Sequence, residues 1–176
     1  MTTTPNPSVS PTIAVPGGAD WPTIVAGVGA AINAGVFLCF SAFIMPAVGE
    51  LSATQGIEAM QAFNRTAVAP FMLVGLGTGV VCVVVIVRAL RTWGAAQSRW
   101  ALTGAVVFLI AAVLITFAAN VPISASIDAL HPASVDAEAS WADLYTQWVW
   151  SNHLRTLGSI AAAVVLAVAA LRPRHR

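Results

Sequence analysis

The sequence contains no lysine, and its 176 residues carry only 8 basic and 7 acidic side chains. Charged residues make up 9% of the chain, where a soluble domain typically has about 25%. A fold this poor in charge has too little polar surface to cover itself in water. The net charge of +1 leaves no basic face for a nucleic acid, so none is expected as a partner. Cysteine is scarce as well. Cys39 and Cys82 both lie inside apolar runs, where a free thiol packs as a small hydrophobe. There is no CxxC pair and no Cys/His cluster, which excludes a disulfide framework and a zinc site. No Lys or Arg precedes the first apolar run, so the positive segment of a secretory signal is missing. Residues 1–20, rich in Thr, Pro, Ser and Gly, are expected to form a disordered tail.

What the sequence has in abundance is apolar length. Hydrophobic residues reach 58% and the mean hydropathy is +0.83. Four runs stand out: Trp21 to Met45, Ala67 to Val87, Trp100 to Ala119, and a last one ending at Leu171. A membrane-spanning helix needs about 20 predominantly apolar residues. The last run meets this only if it starts near Asn152, which draws Asn152, His153 and Arg155 into the span. The expected fold is all-α: an antiparallel four-helix transmembrane bundle over residues 21–171, followed by a basic tail at 172–176. In the first outer loop, Ile57, Met60 and Phe63–Asn64 recur at helical steps, with Glu58 and Gln61 off that face. This predicts a short amphipathic helix running into the second span, interrupted or bent near Pro70, and Pro122 is expected to end the third helix similarly.

Arginine sets the expected orientation. Arg88, Arg91 and Arg99 lie between the second and third spans, and Arg172, Arg174 and Arg176 follow the fourth. The other two connections hold one Arg, Arg65, and six of the acids: Glu50, Glu58, Asp128, Asp136, Glu138 and Asp143. The positive-inside rule then places both termini in the cytoplasm of a multi-pass plasma-membrane protein. Glycines recur in the spans, including the Gly75/Gly79 GxxxG, and these are read as helix-packing positions.

Antiparallel spans bring alternate ends together, and the polar residues gather at one such end. Glu50 follows the first span, Asn64 and Arg65 precede the second, Asn120 closes the third, and Asn152, His153 and Arg155 open the fourth. Each has an ordinary explanation as a helix cap or a snorkelling cation. Their coincidence on four helices points instead to one polar cluster, since ionisable groups within spans usually face the bundle interior. Glu50 is the expected counter-charge for Arg155. At 100° per residue, Trp141, Tyr145, Trp148, Asn152, Arg155 and Ser159 share a sector of roughly 80°. His153 points away from that stripe, so it can join the same pocket only across a neighbouring helix.

Four segments carry a family resemblance: Phe40-Ser41-Ala42-Phe43-Ile44-Met45-Pro46-Ala47, Ala59 to Val68 around Phe63-Asn64-Arg65-Thr66, Asn120-Val121-Pro122-Ile123, and Trp148-Val149-Trp150-Ser151-Asn152-His153-Leu154-Arg155-Thr156. Together they resemble the anthrone oxygenase-like family, over most of the chain. Ser151, inserted between Trp150 and Asn152, and Phe63, where an aliphatic residue is common, depart from its pattern. The resemblance implies a small multi-pass membrane protein, some of whose relatives oxidise polyketide anthrones to anthraquinones without a metal or flavin.

The chemistry suits these residues. An anthrone-type C–H is acidic, and its carbanion reacts with O2 directly. Such a site needs a base, a charge stabiliser and an apolar slot. His153 is the expected base, because imidazole exchanges protons near neutral pH. Arg155, with Asn152 or Asn120, is expected to stabilise the enolate. Trp148, Tyr145 and Phe43 are expected to line the slot, with Asn64, Arg65 and Glu50 completing the polar rim. No cofactor is called for. The alternative is a non-enzymatic membrane protein that binds a lipid or quinone or scaffolds a partner, and a homo-oligomer is left open.

Overall fold

In the computed structural model, residues 20–172 are described; the proposed N-terminal tail, but for its last residue, and the final four residues of the basic tail lie outside them. Four long helices account for nearly all of this stretch, and there is no strand among the described residues. They are α1 (Trp21–Gly49), α2 (Ala53–Arg91), α3 (Ala96–Asp128) and α4 (Ala137–Leu171). Each contains a segment long and apolar enough to cross a bilayer, Ala69–Arg91 in the case of α2. Leu, Val and Ile side chains such as Leu73, Val80, Leu157 and Val164 stand exposed along these segments. That arrangement is costly in water and natural in lipid, so the protein is a membrane-spanning four-helix bundle.

The helix starts follow local chemistry. Ser52 opens α2 with a capping box: its hydroxyl accepts from the Gln55 amide while the Gln55 side chain accepts from the Ser52 amide. Asp136 and Glu138 place negative charge at the positive end of α4. The helix expected in the first outer loop is present, but not as a separate element. Residues 53–66 are the first turns of the 39-residue α2, which runs through Pro70 without interruption. Ile57 and Met60 are buried on it and Glu58 is exposed, as the amphipathic pattern requires.

The prolines explain a second difference. Pro122 does not end α3, and Pro46 does not end α1. Each sits two residues after a π-helical turn, Phe40–Ile44 in α1 and Thr116–Asn120 in α3. A proline ring clashes with the carbonyl four residues back and cannot donate to it. The wider π turn makes room for the ring and lets the helix continue. A further π turn covers Leu109–Leu114. These turns rotate the side chains that follow relative to a regular helix.

Two packing regions result. Near the arginine-rich end, Ala26, Ala30, Ala101, Ala105, Ala162 and Ala169 pack with Phe37, Cys82, Val85, Phe108 and Leu166. Glycine lets the helices touch there. A Cβ on Gly104 would stand 2.7 Å from the Leu166 side chain and 3.1 Å from its backbone nitrogen, and near the middle of the bundle one on Gly158 would overlap the Cβ of Ala111. Toward the other end, Phe40, Met45, Val48, Ile57, Met60, Ile127, Trp141 and Trp148 form a second cluster, built from larger and more aromatic side chains.

Candidate functional site

Between these regions the four helices enclose a cavity of about 380 Å³, within the usual range for a small-molecule site. Its walls are aromatic. Phe40 makes edge contacts with Phe63 and Phe71, at 5.7 and 5.9 Å between centroids, and packs on Trp148 at 5.6 Å. Phe37 and Phe117 add further ring surface. A few polar residues interrupt this lining: Asn33, Asn64, Thr116, Asn120, Ser124, Asp128 and Arg155.

Arg155 is the unusual member. It is buried, and its guanidinium carbon lies 4.0 Å from the centre of the Phe37 ring. That cation–π contact is favourable but does not replace a counter-ion. No ion pair among the described residues involves Arg155, and its Nε has no hydrogen-bond partner. Asn120 is buried with both its amide nitrogen and its oxygen unpartnered. Such groups are costly in an apolar bundle, and here both border the same cavity. The mouth is better satisfied. Asn64 Nδ2 donates to Asp128 Oδ1 at 2.9 Å and to the Ser124 carbonyl at 3.3 Å. Gln61 donates to the carbonyls of Ile127 and Leu130, at 3.1 and 3.0 Å, holding the end of α3 against α2.

Of the residues singled out in the sequence, Asn64, Asn120, Trp148 and Arg155 line this cavity together. Asn152 does not. It is fully buried behind the wall, where its amide nitrogen donates to the Phe37 carbonyl at 2.9 Å and to Ser41 Oγ at 2.8 Å, tying α4 to α1.

His153 is also outside the lining; its Nδ1 lies 2.9 Å from Ser41 Oγ. The same Ser41 Oγ accepts from Asn152 and lies 3.0 Å from the Thr156 hydroxyl, which donates to the Asn152 carbonyl, so Ser41 is the hub of these contacts. The imidazole meets the exposed Trp150 edge-on at 5.8 Å, away from the cavity. The structure makes His153 a link in an α1–α4 clasp and places it outside the lining of this cavity.

Four more expected residues lie elsewhere. Tyr145 donates its hydroxyl to the Met45 carbonyl at 2.8 Å and packs on Trp141, which braces α4 on α1 above Gly49. Phe43, within the π turn of α1, is 59% exposed on the outer surface of the bundle. Arg65 is exposed, and so is Glu50, which forms no ion pair with Arg155.

Asp128 and Thr116 line the cavity without having been singled out. Asn120, Ser124 and Asp128 follow at four-residue steps along one helical face. That signal was readable, but it is lost once Pro122 is taken as the end of a helix. Among the described residues no cluster of three His, Cys, Asp or Glu side chains is placed to hold a metal ion.

The fold and cavity define a class: a membrane-embedded helical bundle with an aromatic ligand chamber between its spans. The chain belongs to the anthrone oxygenase family, whose pattern matches residues 59–165, more than half of its length. No curated protein and no solved structure matches it. The matched region includes the cavity residues of α2, α3 and α4, while those of α1, Asn33, Phe37 and Phe40, precede it.

Proposed function

We propose that the protein is a membrane oxygenase that takes a flat, apolar aromatic of the anthrone type into the chamber and oxidises it with O2. The observation that carries this reading is the unpaired Arg155–Asn120 set facing an aromatic box. A neutral hydrocarbon would leave both groups unsatisfied. An aromatic ketone whose C–H loses a proton places a negative oxygen where a guanidinium and an amide can hold it, and that charge grows as the proton leaves. Stabilisation that grows toward the transition state is what accelerates a reaction. The apolar substrate would reach a chamber at membrane depth by partitioning into lipid.

The test is oxygen uptake and quinone formation by the purified protein given anthrone, measured above the spontaneous rate. Trp148→Ala should raise KM and Arg155→Gln should lower kcat. Anthrone that binds without turnover in the wild type would favour the lipid- or quinone-binding reading instead. Absence of both binding and turnover would overturn the assignment of the chamber.

The proposed setting is the plasma membrane with both termini cytoplasmic, supported by Arg88, Arg91, Arg99 and Arg172 at one end of the bundle. In a background lacking Cys39 and Cys82, a cysteine at Ser134 should react with an impermeant reagent outside the cell and one at Ala95 should not. The reverse pattern would invert the topology.

A further inference from the structure

We propose that Asp128, held by Asn64, is the proton acceptor of the chamber. The inference rests on the oxygenase reading above. Asp128 and Arg155 are the two ionisable side chains in the lining, and an arginine cannot serve as the base. Asp128 Oδ1 accepts from Asn64 at 2.9 Å, and the other hydrogen of that amide is directed at Ser124. The amide therefore holds the carboxylate in one orientation. Among the described residues no hydrogen bond reaches Asp128 Oδ2, which leaves that oxygen's lone pairs open at the mouth of the chamber. The carboxylate belongs to α3 and the guanidinium to α4, and Asn120 lies on α3 two turns before Asp128. A substrate spanning the chamber thus meets a proton acceptor toward its mouth and two oxyanion donors in its wall.

The steps balance. Oδ2 takes a proton from the substrate CH2, and the C–H electron pair moves onto the conjugated carbonyl oxygen beside Arg155 and Asn120. The carbanion form bonds to O2, which is the oxidant, giving a peroxide anion. Asp128 returns its proton to the terminal peroxide oxygen. The second C–H hydrogen then leaves with that OH as water, the O–O bond breaks, and a ketone remains. In sum, CH2 and O2 give C=O and H2O. Asn64 touches no reacting atom and acts as a positioning residue.

Anaerobic hydrogen exchange isolates the first step. Wild-type protein in D2O, given anthrone without O2, should speed loss of the benzylic hydrogen above the buffer rate. Asp128→Asn should lower that enhancement by about 10²- to 10⁴-fold while still binding anthraquinone, which has no such hydrogen. Asp128→Ser serves as a second variant, so that one misfolded protein cannot decide the matter, and Asp128→Glu should restore part of the rate. Asn64→Ala should lower kcat with KM unchanged, a split that a general loosening of the bundle would not produce.

Exchange at the wild-type rate in both Asp128→Asn and Asp128→Ser would overturn the assignment while leaving the oxygenase reading intact. Loss of exchange in His153→Ala with full exchange in Asp128→Asn would return the base to His153. Wild-type protein that binds anthrone but neither exchanges nor oxidises it would overturn the reading and the inference together.

Discussion

The two ends of the bundle use the same four helices in opposite ways. At the arginine-rich end, alanine and glycine bring the helix backbones close and leave little to fill. In lipid, where apolar side chains gain nothing by leaving the solvent, such close packing is a main source of helix association. At the other end, Phe40, Phe63, Phe71 and Trp148 hold the helices apart around a chamber. The π turns fall in α1 and α3 where the one region gives way to the other. Close helix contact dominates the first region, and the unpaired Arg155 and Asn120 lie where the helices separate. This separation is the pattern expected when binding is built into a fold at the expense of stability.

The strongest test of that division is Arg155→Met. The substitution keeps an unbranched chain of similar reach and removes the unpaired charge. Turnover should fall by about 10²- to 10³-fold through lost oxyanion stabilisation. Thermal stability in detergent should rise, because a buried cation without a counter-ion is relieved. A fall in both would mean that Arg155 holds the bundle together and that the division is wrong.

Gly104→Val should have the opposite profile. Its new side chain would run into Leu166 on α4, and overpacking of this kind costs about 1–3 kcal/mol. The melting temperature should drop, while kcat in the fraction that remains folded should stay near wild type. Gly77→Val, at a glycine with open space around its Cβ position, is the matched control and should change stability far less.

Ser41→Ala tests the clasp between the two regions. Ser41 Oγ accepts from Asn152 and contacts His153 and Thr156, so its loss strands buried polar groups on α4. A destabilisation of about 1–3 kcal/mol is expected, read as an earlier unfolding transition. An effect within error would mean that the Asn152 bond to the Phe37 carbonyl carries the contact alone.

The sequence disclosed the architecture because hydrophobic length is a long-range signal that no single residue can disturb. Four spans, their antiparallel order and the helix over residues 53–66 were all readable from it. The chamber was readable only in part. Asn64, Trp148 and Arg155 follow regular helical spacing within their own spans, and Asn120 joins them although two π turns lie in its helix. The position of Phe43 was not readable, and for His153 only its direction away from the stripe was. A 100° step assumes an unbroken α-helix, and the π turn over Phe40–Ile44 breaks it. His153 is held by Ser41, a residue on another helix whose hydroxyl becomes a hub only once the spans are packed. Asp128 was hidden by a rule that usually holds, that proline ends a helix. Here the π turn before Pro122 suspends it.

The smallest expected effect comes from the exposed positions, and it sharpens the comparison most cheaply. Phe43 is 59% exposed and Arg65 is exposed, and neither lines the chamber. Both lie in segments that carry the family resemblance, so sequence alone would rank them with Trp148. If the chamber is the functional region, Phe43→Leu should leave kcat and KM for anthrone unchanged and shift stability by no more than about 0.5 kcal/mol, since leucine is as much at home against lipid as phenylalanine. Arg65→Gln should behave the same way. Steady-state oxidation by the two variants beside Trp148→Ala makes the measurement. A KM raised by Phe43→Leu to the level of Trp148→Ala would show that substrate contacts the outside of α1, and the functional boundary would then lie at the lipid-facing surface.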